Sequence, residues 1–157
     1  MELEIKEIIQ EFDISKFDKI KRLNGGRINQ TFWIHTSDGE FVIQKLSLVF
    51  DDKVIEVYRK VGRFLRTKGL TVPVIMPTKT GGHHIERDKR IWRAFEYLPN
   101  EEVNHETKDV EIIKESGKIL GRFHKIMQDF NQELPETLEG FHDTKKTIND
   151  LRKLFSQ

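Results

Sequence analysis

The sequence predicts an α+β fold: an antiparallel sheet of about five strands with one inserted helix, followed by a helical segment. Three observations lead there. Stretches rich in β-branched and aromatic residues cluster between Phe17 and Pro99. One helical stripe, Val54, Val57, Val61, Phe64 and Leu65, interrupts them. After residue 108 the apolar spacing is helical in both remaining periodic stretches. Strands that cluster, rather than alternate with helices, indicate α+β and not a parallel α/β sheet.

Taken in order, Ile5, Ile8, Ile9 and Phe12 fall at i, i+3, i+4 and i+7, one apolar stripe of a short helix. Strand texture begins at Phe17, meets the paired glycines Gly25-Gly26, and resumes from Ile28 to Thr36. Ser37-Asp38-Gly39-Glu40 is a hairpin turn, because Asp-Gly readily supplies positive φ, and Phe41 to Leu46 completes the hairpin. Asp51 or Asp52 caps the inserted helix and Gly69 stops it. Val72 to Thr78, broken by Pro73 and Pro77, reads as an edge strand. Thr80-Gly81-Gly82 turns the chain so that His83 to Glu86 pairs back on it, and Ile91 to Leu98 is a long strand ending at Pro99. Residues 100 to 108 are polar and aperiodic, which sets a boundary between a unit at 1–99 and a unit at 100–157. Beyond it Ile112, Ile113, Ser116, Ile119, Leu120, Phe123 and Met127 share one helix face. A loop with Pro135 and Gly140 leads to a last helix from about Asp143 to Phe155.

Bulk composition narrows the function. Lys and Arg total 27 against 26 Asp and Glu, so the chain lacks the basic excess of a protein that grips a nucleic-acid backbone. With no cysteine, disulfides and thiolate metal sites are excluded. The charged start MELEIKEIIQ is no signal peptide, and no stretch has the length of a membrane span. A cytoplasmic protein without membrane or nucleic-acid partners is expected.

Three features then line up. The turn Gly25-Gly26-Arg27-Ile28-Asn29 lets backbone approach a ligand closely and aim N–H groups at phosphate oxygens. The strand Phe41-Val42-Ile43-Gln44-Lys45-Leu46 carries one cation amid apolar residues, with Ile43 and Lys45 on one face and Val42, Gln44 and Leu46 on the other. Glu56, near the start of the following helix, could reach back to a strand lysine and fix its head group, as such pairs do in kinases. Alone, each has an ordinary structural reading: a plain turn, an edge lysine, a solvated glutamate. It is their order that points to ATP.

The run GGRINQTFWIHTSDGEFVIQKLSLVF resembles the opening of kinases of the aminoglycoside phosphotransferase and choline kinase type, and is most similar to their N-acetylhexosamine kinase-like branch. The likeness continues through RIWRAFEYLP, ESGKILGRFHKIM and LPETLEGFHDTKKTINDL, nearly the whole chain. It implies a protein-kinase-like N-lobe over residues 1–99, then a connector and the first helices of a C-lobe. It implies that Gly25, Gly26 and Asn29 lie over the nucleotide phosphates, that Lys45 is the phosphate-binding strand cation, and that Glu56 is its partner. Glu96 and Leu98 would offer backbone C=O and N–H to adenine, with Val42 or Ile43, together with Tyr97, lining the adenine slot. A register in which Gln44 takes the cation's place would put an amide at the phosphates and turn Lys45 away.

The departures matter as much. The family's catalytic loop, His-Gly-Asp-x-x-x-x-Asn, and its later metal-binding Asp have no counterpart, since His142-Asp143 lacks the glycine and the downstream Asn. Phosphoryl transfer needs metal ions on the phosphates and a carboxylate to take the hydroxyl proton. The expectation is therefore a truncated chain without catalytic or metal-ligating residues, inactive by itself. Its parent kinase would transfer the γ-phosphate of ATP, with Mg2+, to a hydroxyl of a sugar, amino sugar or aminoglycoside-like acceptor. The alternative is a non-catalytic interaction module, and either form is expected to expose Phe123, Met127, Leu151, Leu154 and Phe155 for homodimer formation. His83-His84, His124 and the basic run Arg59, Lys60, Arg63, Arg66 and Lys68 are read as solvated or packing groups.

Overall fold

The stripe Ile5, Ile8, Ile9 and Phe12 builds helix α1 (Glu2–Glu11), and all four side chains are buried against one face of a sheet. Removing each from water contributes about 1.5–3 kcal/mol, which is why so short a helix persists. The computed structural model describes residues 2–14, 17–24, 26–99, 106–138, 140–141 and 143–155. The sheet holds β1 (Phe17–Leu23), β2 (Gln30–Thr36), β3 (Gly39–Lys45), β4 (Ile85–Arg87) and β5 (Arg90–Glu96), in the order β1-β2-β3-β5-β4. Every pairing is antiparallel.

The period-two alternation sends side chains to two different layers. Phe32, Ile34, Ile43, Trp92 and Ala94 face α1 and share its core. Helix α2 (Lys53–Thr67) covers the other face, where Leu46, Val54, Ile55, Ile75, Ile91 and Phe95 form a second cluster. The β2–β3 turn falls where expected but centres on Ser37-Asp38, Gly39 already pairing with Thr36, and Thr36 Oγ1 accepts from Asp38 N at 3.1 Å and donates to Gly39 O at 3.0 Å. Asp51 serves the start of α2, its Oδ1 accepting from Lys53 N at 3.1 Å, and Gly69 ends it at φ 75°.

Two elements differ from expectation. Residues 72–78 form no strand: Ile75 makes one isolated bridge to Phe95, and Thr78 one to Phe12. Pro73 and Pro77 lack the N–H groups a ladder requires. In consequence β4 does not fold back on that segment; it pairs with β5 through a turn in which Asp88 (φ 51°) and Lys89 (φ 58°) are both left-handed. A hairpin of this type usually takes Asn-Gly, and the lack of glycine hid it.

Beyond the sheet lie α3 (Val110–Met127) and α4 (Thr144–Phe155). Asp109 Oδ1 caps α3 through Glu111 N at 2.9 Å, and Asp143 Oδ1 accepts from Lys146 N at 2.8 Å. Neither helix contains a buried residue. Their segment is tied to the end of α2 by Arg122 Nη2 on Gly69 O (2.9 Å), Lys68 on Asp129 (2.8 Å) and an edge-on Phe64–Phe130 contact. Phe123 and Met127 are half-buried, whereas Leu151, Leu154 and Phe155 are exposed. No helix of the described residues is long and apolar enough to cross a membrane.

Candidate functional site

Between the sheet and α2 lies a cavity of about 560 Å3. Its walls are apolar: Val42 and Phe95 from the sheet, Val57, Val61 and Leu65 from α2, Leu23 at the end of β1, and Val72-Pro73 beyond α2. Glu96, Tyr97 and Leu98 form its rim where β5 runs out. A largely apolar slot with a few polar groups is the usual form of a small-molecule site. The glycine turn adjoins it, because Leu23 also lines the smaller hollow formed with Asn24, Gly26, Arg27 and Asn29.

The residues singled out from sequence fall into three groups. Val42, Glu96, Tyr97 and Leu98 all line the slot. Gly26 and Asn29 line the adjoining hollow, while Gly25 lies outside the described residues. Asn29 is committed locally, its Oδ1 accepting from Ser47 N at 2.9 Å and so tying the turn to the end of β3. Tyr97 N donates to Glu40 O at 3.0 Å, which holds the rim against the sheet edge, and Glu96 sits 3.5 Å from Arg66.

Ile43, Lys45 and Glu56 are the corrections. Ile43 is fully buried on the α1 face, away from the slot. Lys45 shares that face: its Nζ is 2.5 Å from Glu4 Oε1 and 4.9 Å from the centre of the Trp92 ring. Glu56 pairs with Lys60 one helical turn away at 2.7 Å, so no Lys45–Glu56 bridge forms. The physical reason is the pleat. With α1 burying Ile43, its neighbour two residues on must point the same way, and the slot receives Val42 and Gln44 instead.

At the Gln44 position the slot therefore presents an amide, and the charge stands on the neighbouring strand. Arg93 pairs with Gln44 in the β3–β5 register and is only 3 % exposed. Gln44 Oε1 accepts from its Nε at 3.0 Å and Nη2 at 2.8 Å, while Gln44 Nε2 donates to Thr31 Oγ1 at 3.2 Å. The guanidinium stacks on Tyr58 of α2, 3.9 Å from the ring centre, and lies 4.9 Å from that of Phe95. Burial lowers its pKa below the ordinary arginine value, with Tyr58 opposing that pull, yet an arginine stays charged. Sequence reasoning missed Arg93 and Tyr58. The signal was present in Arg90 to Glu96, where alternation places Arg93 beside Phe95 and opposite Trp92 and Ala94.

A second groove, about 690 Å3, lies on the outer side of α2 between Lys53, Arg59, Lys60, Arg63, His83 and His84. It is larger but more polar and lies away from the rim at 96–98. Among the described residues no group of three or more His, Asp or Glu side chains is arranged to hold a metal ion.

Comparison with known proteins agrees with this architecture. The chain superimposes on a microcompartment-associated aminopropanol kinase with a TM-score of 0.64 at 18% identity, covering 86% of this chain and 42% of that one. It superimposes on a spectinomycin phosphotransferase, solved with ADP and spectinomycin, with a TM-score of 0.56 at 15% identity, covering 84% and 41%. The chain thus spans about two fifths of the length of these structures. No curated protein matches it. Residues 19–157 match the model of the phosphotransferase enzyme family, which takes in β1 from Lys19, the other four strands and the helices from α2 onward; the chain belongs to that family.

Proposed function

We propose that this chain is the nucleotide-holding part of a cytoplasmic small-molecule kinase. The observation that carries the reading is the slot itself: apolar walls from Val42, Phe95 and Leu23 meet the strand-to-connector rim Glu96-Tyr97-Leu98. A flat purine fits such a slot, with the rim backbone serving its edge and the glycine hollow lying towards its phosphates. The acceptor would be a hydroxyl of a sugar, an amino sugar or an aminoglycoside-like compound. Family membership and the two kinase neighbours support the small-molecule class. Mg2+ would accompany the nucleotide. The described residues that line the slot all lie between 23 and 98, and weak binding without turnover is expected of this chain.

Calorimetric titration with adenosine and ATP tests the reading in the wild type and in Val42→Phe, which fills the slot. Binding by the wild type and its loss in a folded Val42→Phe variant are expected. Equal binding by both proteins would move the ligand elsewhere.

A second reading, a kinase-like interaction module, draws on one observation: Ile113, Ile119, Leu120, Leu151 and Leu154 of α3 and α4 are exposed apolar residues. Homodimer formation through these helices would appear as a concentration-dependent sedimentation coefficient, abolished by Leu120→Glu with Leu151→Glu. A monomer at all concentrations contradicts it.

A further inference from the structure

Resting on the nucleotide reading, we infer that Arg93 holds the polyphosphate of the nucleotide, taking over the charge that β3 does not present to the slot. Three observations converge. Arg93 is the one cation among the described residues that line the slot, and the one carboxylate there, Glu96, stands beside Arg66. Its guanidinium is buried without a carboxylate partner; Gln44 neutralises none of its charge, and Nη1 has no hydrogen-bond partner. A buried cation offset only by the Tyr58 and Phe95 rings and a neutral amide is costly, and an anion would offset its charge. Finally, Lys45 is held on the opposite face by Glu4 and Trp92 and cannot serve without breaking the α1 contact.

The chemistry favours phosphate. A guanidinium is a planar fork that matches two phosphate oxygens, and it stays charged where burial would discharge a lysine. Gln44 holds the fork in place through Nε and Nη2, leaving Nη1 for the ligand. Tyr58 covers the guanidinium face and, at 46 % exposure, can swing outward to admit a phosphate oxygen.

The test compares ATP, adenosine and inorganic tripolyphosphate on the whole chain, following the Nε–H resonance of Arg93 by NMR. In the unmutated protein ATP and tripolyphosphate should shift that resonance and adenosine should not, with ATP binding at least about tenfold tighter than adenosine. Arg93→Met should bring ATP affinity down to that of adenosine and leave adenosine unchanged; Lys45→Met should keep the wild-type ratio. If wild type binds adenosine and ATP equally, or Arg93→Met keeps the ATP preference, the Arg93 assignment falls while the nucleotide reading stands. An Arg93 resonance unmoved by tripolyphosphate also overturns it, whether or not the variant folds. If neither adenosine nor ATP binds the slot, both fall together.

Discussion

Lys45 Nζ lies 2.5 Å from Glu4 Oε1, an ion pair that fastens α1 to the back of the sheet over the Trp92 ring. Both side chains are largely buried, so breaking the pair leaves one charge poorly solvated. Lys45→Met should lower the unfolding free energy by about 1–3 kcal/mol, between the range for exposed pairs and that for buried ones. Urea denaturation measures this, and Glu4→Gln should cost a similar amount.

Glu56 offers the contrasting case. Its pair with Lys60 is a half-exposed i,i+4 contact, a type that contributes a few tenths of a kcal/mol. Glu56→Gln should change stability by less than about 0.5 kcal/mol and leave ATP affinity unaltered. A tenfold loss of affinity would restore Glu56 to the phosphate site.

His83 should make the fold acid-sensitive. Partial burial lowers its pKa below the ordinary 6.5, and the nearby Arg59, Arg63 and His84 push the same way. The folded state then binds fewer protons than the unfolded state, so stability is fully present above pH 6.5 and declines as pH falls through the folded value. Denaturation at pH 7.5 and 5.0 should show a gap that narrows in His83→Gln. An unchanged gap would place the sensitivity elsewhere.

Gly62 sits inside α2 against Val72-Pro73, and a methyl group there would meet Pro73 O at 3.7 Å, an ordinary contact. Gly62→Ala should raise stability by up to about 1 kcal/mol, because alanine is the better helix former. A fall in melting temperature would mean that the Val72-Pro73 passage is tighter than this geometry.

The elements legible in the sequence were those with a local cause. The α1 stripe, the hairpin turn within residues 37–40 and the start of α4 at Asp143 each follow from neighbours within a few residues. The β4–β5 turn was hidden because Asp88-Lys89 adopts left-handed backbone without glycine. The slot's apolar wall and rim were legible from alternation in Phe41 to Leu46 and from the connector after Glu96. Which of Gln44 and Lys45 meets the slot was not, since alternation separates the two faces without saying which helix covers which. That is decided by α1, far away in sequence, which buries Ile43. Arg93 stayed hidden for the same reason: a strand arginine looks solvated until Tyr58 is known to lie across it.

We propose above all that the slot between Val42, Phe95 and the rim at 96–98 receives a nucleotide. Amide chemical shifts recorded through an ATP titration test it most directly. Shifts should centre on Leu23, Val42, Phe95 and Leu98, with the groove at Arg59, Arg63, His83 and His84 undisturbed. Shifts confined to that outer groove, or none at millimolar ATP, would contradict it.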